Sequence, residues 1–464
     1  MSFSLPPLSP LRAIAAAWLL VAGSAALAAA PPANDDEAIS QLQAAYTRAV
    51  VAGDQAQLHH DLIPTVLQRV KRSHATDVDL PLLAAAAIKV LEPLPAGAGE
   101  PAPVFKKAIN EALHTLDPYS RYLDPRSQSG DRSDSNGSFG GLGLEVQSSE
   151  GAVRVVAPMP GSPAARAGVV PGDLIVRVDD QSLLGVPLAD AIARMRGAPG
   201  TPVAITIQRA GTAGEFTVSI TRDTIRRQLL RWSMESDVLV LRLSSFSGAA
   251  TSSLELAIAE ATAANQPRAV VLDMRGNPGG LFREAVKVAD LFLDKGEIVS
   301  VRGNSSSRQR AWEAEPGQLL AGLPMVVLID AGSASASELV ADALQQNGRA
   351  TVMGQRSFGK GSVQMTFSLG ENKGALKLTT SIYHGPSGQT VHKIGVGPDI
   401  ELVATAAGDV SRAAPDGAPM RKAKARVDPG RCVAVKESDP ALACAVAYLH
   451  ADGVDAFVSR LVAP

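Results

Sequence analysis

Between residues 237 and 346, strand-like apolar runs alternate with helix-like stretches: DVLVLRL, SSLELAIAEATAAN, AVVLDMR, EAVKVADLFL, MVVLID and ASELVADALQQ. Strands separated by helices need crossover connections, which are right-handed. This part of the chain is therefore expected to form a largely parallel sheet covered by helices.

The pattern changes on either side. From Asp35 to Asp124 apolar residues return every three or four positions, as in EAISQLQAAYTRAVVAG and VFKKAINEALHTL, which predicts helices. The tract QSGDRSDSNGS at 128–138 breaks all periodicity and reads as a mobile connection. Short alternating runs follow from Phe139 to Ile225 (GLEV, AVRVVA, DLIVRVD, VAITIQR, FTVSITR) around one helix-like stretch, PLADAIARM. The predicted fold is mixed α/β and multidomain. Its parts are a helical domain at 35–127, a β-rich module at 138–225, an α/β core at 226–404, a linker at 405–430 and a short helical tail at 431–464.

Arg12 precedes the run AIAAAWLLVAGSAALAAA, which contains the small-x-small triplet Ala26-Leu27-Ala28. This reads as a secretory signal peptide over 1–28, cleaved near Ala28, because Ala and Gly dominate where a membrane anchor would carry Leu. The mature chain is expected in the periplasm. In that oxidising compartment Cys432 and Cys444, twelve positions apart, are expected to join as a structural staple worth about 3 kcal/mol. A net charge of −2 gives no electrostatic reason to seek nucleic acid, and aromatics at 4% argue against platforms that stack bases. Two cysteines exclude a four-cysteine zinc site, HEXXH is absent, and the adjacent His59 and His60 face different ways on a helix; no metal or cofactor is expected.

The chemistry concentrates where MVVLID runs into AGSASASELVADALQQ. A serine there sits on a helix N-terminus, whose unpaired amides stabilise an oxyanion formed beside it. The plainer alternative is a capping box, since Glu338 follows Ser335 by three. The segment SFGKGSVQ then puts Lys360 in a glycine-flanked turn and Gln364 on the following strand. A lysine is a general base only when neutral, so its pKa must fall by about three units from 10.4; burial without a carboxylate partner does this. Phe358 and Val363 are expected to provide that burial, and the neutral Gln364 to orient the amine without restoring its charge.

These motifs, together with LDPYSRYLDP, GGLGLEV, GSPAARAGVVPGDLIVRVD, LDMRGNPGGLFREAVKVADLFLDKG and VGPDIE in one order, resemble the carboxyl-terminal processing proteases of family S41. Those enzymes are serine peptidases with a Ser-Lys pair and an inserted PDZ domain. The resemblance implies Ser335 as nucleophile, Lys360 as base and Gln364 as its assistant. It also implies an oxyanion hole from the amide of Ala336 with Gly279 or Gly280, and a peptide-terminus site at Gly141, Leu142, Gly143 and Leu144 with an added substrate strand. The 128–138 tract becomes a hinge for the PDZ domain. Where relatives often carry an Asp in the helix after the nucleophile, this chain has Gln346, and residues 37–105 match the family poorly.

Other chemistries fit less well. Gly354–Lys360 spells G-x-x-x-x-G-K, but Gly361 replaces the Ser or Thr of a phosphate loop and a strand pattern follows. Ser357 and Lys360 form S-x-x-K, yet the glycines flanking Lys360 oppose the helix that motif needs. A Ser-His-Asp site would draw on His384 or His392 with Asp273 or Asp330. The alternative from another class is a catalytically silent PDZ scaffold. The reading adopted is a serine endopeptidase acting near the C-termini of protein or peptide substrates, with room for an adaptor protein and a homo-oligomer.

Overall fold

The structure, a computed structural model, describes residues 34–125, 138–149, 152–159, 161–186, 188–212, 214–226, 229–304, 309–403, 422–432, 439–451 and 453–462. The signal-peptide reading, most of the 128–138 tract and much of the 405–430 linker lie outside them.

Four helices open the described chain: α1 (Asp35–Ala49), α2 (Asp54–Ser73), α3 (Leu80–Leu91) and α4 (Pro101–His114). Asn34 caps α1 by accepting the Glu37 amide, and Asp79 caps α3 by accepting that of Leu82. Their apolar faces close around Leu42, Tyr46, Leu67, Leu83 and Phe105. Tyr122, Leu376 and Leu378 join that core from strands β1 (Arg121–Leu123) and β18 (Ala375–His384). The helical region is thus built onto the strands that lead to the site.

The β-rich module contains β2 (Ser138–Gly141), β3 (Leu144–Ser149), β4 (Ala152–Pro158), β5 (Leu174–Val178), β6 (Gln181–Ser182), helix α5 (Leu188–Met195), β7 (Pro202–Gln208), β8 (Glu215–Thr221) and β9 (Asp223–Arg226). Its main sheet runs β3-β4-β5-β7-β8, so β3 is an edge, and β2 pairs with β9. Asp173, buried under a two-pronged Arg209 contact at 2.7 and 2.8 Å, ties the turn before β5 to the end of β7.

The core sheet comprises β10 (Leu230–Glu235), β11 (Val238–Leu243), β12 (Ala269–Asp273), β15 (Met325–Ile329), β16 (Thr351–Gly354), β19 (Ile400–Leu402) and β20 (Ala425–Val427) in that order. Only β10 runs antiparallel; every later pair is parallel, as the alternating pattern requires. Helices α6 (Ala250–Ala264), α7 (Phe282–Asp290) and α8 (Ala336–Gln346) cover one face, packed on Leu239, Leu241, Leu272 and Val327. The other face is covered by α9 (Pro440–Leu449) and α10 (Val454–Val462), and there Cys432 and Cys444 are bonded. A second sheet of β1, β13 (Glu297–Arg302), β14 (Arg310–Glu313), β17 (Ser362–Ser368) and β18 runs alongside, with β17 paired to β18.

Candidate active site

Strand β15 ends at Ile329, and six residues later the chain turns sharply at Ser335 to enter α8. Ser335 has φ 56°, a positive value that costs a non-glycine residue about 1–3 kcal/mol. Tertiary contacts hold it there: the buried Tyr383 on β18 donates its hydroxyl to the Ser335 carbonyl at 2.9 Å. The two neighbouring serines are spent. Ser333 donates to the Met274 carbonyl at 2.9 Å and Ser337 to the Asn277 carbonyl at 2.8 Å, and both are fully buried. Ser335 is half-buried, and the capping box with Glu338 is formed: the Glu338 carboxylate accepts the Ser335 amide, and the Ser335 side chain faces the Glu338 amide.

Glu338, on the first turn of α8 and fully buried, receives four donors. Its Oε2 accepts the amides of Ser335 at 2.8 Å and Lys360 at 2.7 Å; its Oε1 accepts the Gly359 amide at 2.6 Å and the Ser357 hydroxyl at 2.5 Å. Burial pushes this carboxyl above its usual range, while the four donors pull it back. The Ser335–Glu338 spacing that reads as a helix cap therefore also ties the serine's loop to the lysine's loop.

Lys360 is half-buried, and no carboxylate lies within ion-pair distance of its amine among the described residues. Burial, then the cations Lys377 and Arg121, push its pKa down; Glu338 and Asp117 oppose this. Phe358 does not contribute as expected: the residue is 45% exposed. The Phe358 amide is anchored to the Ser333 carbonyl at 3.0 Å, which turns the ring outward while Ser357 and Gly359 are drawn in by Glu338. The Lys360 amine instead lies over the ring of Tyr119, 4.8 Å from its centre, and makes no hydrogen bond to the Ser335 hydroxyl. Gln364 does not reach the amine either. Its side-chain amide donates to the hydroxyls of Ser362 at 2.8 Å and Thr379 at 3.2 Å.

The NPGG turn abuts Ser335. A Cβ added to Gly279 would sit 2.6 Å from the Ala334 carbonyl oxygen, 2.8 Å from the Ala336 nitrogen and 2.9 Å from the Ser335 Cβ; one on Gly280 would collide with the Phe246 carbonyl. Glycine is required at both places for close approach. The two amides differ, however. Gly279 donates its N–H to Asn277 Oδ1 at 2.9 Å, whereas the amides of Gly280 and Ala336 meet no acceptor among the described residues.

A scan against family models matches residues 237–402 to peptidase family S41 and residues 154–209 to a PDZ domain. A carboxy-terminal-processing protease of Bartonella bacilliformis is 44% identical over 300 residues, which cover 64% of this chain and 69% of that one. The chain belongs to the carboxy-terminal-processing proteases of family S41. A Bacillus subtilis carboxy-terminal processing protease, CtpA, is 34% identical over 63% of each chain, so less than two thirds of that relative is spanned. Among solved structures, a photosystem II D1 C-terminal processing protease aligns at TM-score 0.51 and 27% identity, covering 76% of this chain and 94% of that one.

In this S41 protease the histidine alternatives are not assembled. Asp273 is held by Arg275 at 2.6 Å, and Asp330 accepts the amides of Gly276 and Gly332, so neither orients His384 or His392. In the β-rich module that holds the PDZ match, Gly141 ends β2, Leu142 and Gly143 form the turn, and Leu144 opens the edge strand β3. The carbonyls of Leu142 and Gly143 are taken by the amides of Ala164 and Met159, while their own amides meet no acceptor among the described residues. Among the described residues no helix is long and apolar enough to cross a membrane, and no group of three or more potential ligands gathers to hold a metal ion.

Sequence reasoning does not single out Glu338 as the link between the two loops, nor Tyr119, Asp117 and Tyr383. The capping-box spacing is the signal for Glu338 and the LDPYSRYLDP motif that for Asp117 and Tyr119, and neither names a partner; no motif marks Tyr383.

Proposed function

We propose that this chain is a periplasmic serine endopeptidase that cleaves proteins near their C-termini through an acyl-enzyme. In this reading Ser335 attacks the scissile carbonyl and Lys360 takes its proton and returns it to the leaving amine. The amides of Ala336 and Gly280 receive the oxyanion. The observation that carries it is the double hold of Glu338 on the Ser335 and Lys360 amides, which keeps nucleophile and base on one buried carboxylate. The choice of Gly280 over Gly279 follows from the amide of Gly279 being engaged by Asn277.

In the arrangement described the amine rests on Tyr119, so substrate binding brings it to the hydroxyl; catalytic hydrogen bonds commonly tighten only in the substrate complex. Gln364 then contributes by fixing the strand beside Lys360. The PDZ turn at Gly141–Leu144 takes a peptide carboxylate, and the free edge of β3 takes the peptide backbone as an added strand. Export is supported by the apolar run after Arg12 and by the bonded cysteines.

The test is digestion of an unstructured polypeptide by the wild type and by Ser335→Ala, with product termini mapped by mass spectrometry. Cleavage confined to the wild type is the expected result; equal cleavage by both removes Ser335 as nucleophile.

A further inference from the structure

The Lys360 amine lies over the face of Tyr119, a contact that the reaction does not itself call for, and Tyr119 belongs to a turn with an elaborate support. That turn is knotted around Asp117, which lies just past the end of α4. Asp117 Oδ1 accepts the amides of Tyr119 at 2.7 Å and Ser120 at 2.9 Å and the Thr379 hydroxyl at 3.0 Å; Oδ2 accepts the Ser120 hydroxyl at 2.5 Å and His74 Nε2 at 3.0 Å. His74 is buried at the end of α2. Its Nδ1 accepts the Thr76 amide, so the proton sits on Nε2 and is donated to Asp117. Ser120, also fully buried, accepts the Thr379 amide at 3.0 Å through its hydroxyl oxygen. Thr379 is in turn an acceptor for Gln364. One carboxylate thus ties the N-terminal helices to both sides of the site: to Lys360 through Tyr119, and to Gln364 through Thr379.

We infer that Tyr119 is a positioning residue for the Lys360 amine: its ring holds the amine and tunes its protonation, and the Asp117–His74 pair fixes the ring from the N-terminal helical region. This rests on the reading of Lys360 as the base. An aromatic face attracts a cation through its quadrupole and does not attract the neutral amine, so the ring favours the charged form. Around the amine it opposes burial and the cations Lys377 on β18 and Arg121 on β1, acting in the same direction as Glu338 on α8 and Asp117. Burial alone would leave a neutral lysine that no longer gains from taking the serine's proton. The ring moderates that loss and keeps the amine within the cleft while substrate is absent. It also gives residues 37–105 a role, since α2 supplies the histidine that completes the knot.

The experiment has two arms. In the first, the Lys360 side-chain nitrogen is titrated by NMR in the Ser335→Ala background, with Lys360→Ala supplying the assignment. Replacing Tyr119 by Leu is expected to lower that pKa by roughly half to one and a half units, and Tyr119→Phe to leave it in place. If the Leu variant fails to fold, phenylalanines of increasing fluorination at position 119 keep the shape and weaken the quadrupole, and the pKa should fall along the series. An unmoved pKa in the Leu variant or along that series, or a Phe variant as shifted as Leu, overturns the inference. The second arm follows the acid limb of kcat/KM in the Ser335 enzyme. A limb that moves with the NMR pKa supports both readings. A limb that stays while the NMR pKa falls overturns Lys360 as the base and thus the functional half of the inference, leaving the ring–amine contact as a measured fact.

Discussion

Glu338 binds the backbone of Lys360 without neutralising its side chain: Oε2 accepts the Lys360 amide at 2.7 Å, yet the amine stands outside ion-pair reach of any carboxylate among the described residues. The lysine is thereby anchored by a carboxylate whose charge is absorbed by four donors. Positioning and protonation are separated, and this is the condition under which a buried lysine serves as a base.

Replacing Glu338 by Gln leaves one acceptor oxygen for four donors. Buried donors left unmade cost about 1–3 kcal/mol each, so Glu338→Gln is expected to lose several-fold more in kcat than in KM and to unfold at lower urea. Urea titration alongside steady-state kinetics checks both. A variant with normal stability and turnover would show that the two loops need no clamp.

Lys360 carries a prediction with opposite signs for activity and stability. Its pKa is lowered by burial, then by Lys377 and Arg121, so at pH values between the folded and unfolded pKa the unfolded chain binds more protons and stability rises with pH. Lys360→Met should abolish cleavage, raise the melting temperature at neutral pH and flatten that slope. Lys360→Arg should be as inactive as Met, because a guanidinium keeps its proton. Melting curves across pH together with activity assays decide it.

The two glycines of the NPGG turn separate by mechanism. Gly280→Ala drives a methyl into the Phe246 carbonyl and displaces a free amide; Gly279→Ala presses on the Ser335 Cβ and the Ala336 amide. Both should reduce kcat by about 10²–10³, the cost of losing one oxyanion donor. Removing the Asn277 side chain should allow the Gly279 amide to relax, and in Asn277→Ala the loss is expected chiefly in kcat. Unchanged kcat in Gly280→Ala would move the oxyanion hole elsewhere.

Asp117 predicts acid sensitivity. Burial raises its pKa, but donors led by His74, with Ser120, the Tyr119 amide and Thr379, outweigh burial and hold it well below the usual carboxylate range. The stability it contributes is full above the unfolded pKa of about 3.9 and is lost as pH falls below it toward the folded value. Asp117→Asn should be destabilised at pH 7 and should lack this part of the wild type's acid-induced loss, as denaturant titrations at pH 7 and 3 would reveal.

The core was readable because its signal is local: DVLVLRL and AVVLDMR are continuous apolar runs that only a buried parallel strand needs, and the helices between them keep a 3.6 period. The order of the motifs likewise carried the resemblance that points to Ser335 and Lys360. What the sequence withheld is what depends on distant contacts. Nothing near Phe358 announces that its ring faces solvent, since the cause is an amide bonded to Ser333. Glu338 looks like an ordinary cap until Lys360, twenty-two positions later, is folded against it. Tyr119 and Tyr383 meet the site only after β1 and β18 have paired across more than two hundred and fifty residues of sequence. The choice between Gly279 and Gly280 turned on a side-chain acceptor, Asn277, that no spacing rule specifies.

Labelling the enzyme with a serine-reactive fluorophosphonate and mapping the modified peptide reads out whether Ser335 is a nucleophile activated by Lys360. A single adduct on Ser335 is expected in the wild type and none in Lys360→Ala, with Ser333, Ser337 and Ser357 untouched. An adduct on one of those serines, or undiminished labelling of Ser335 without the lysine, would contradict that assignment.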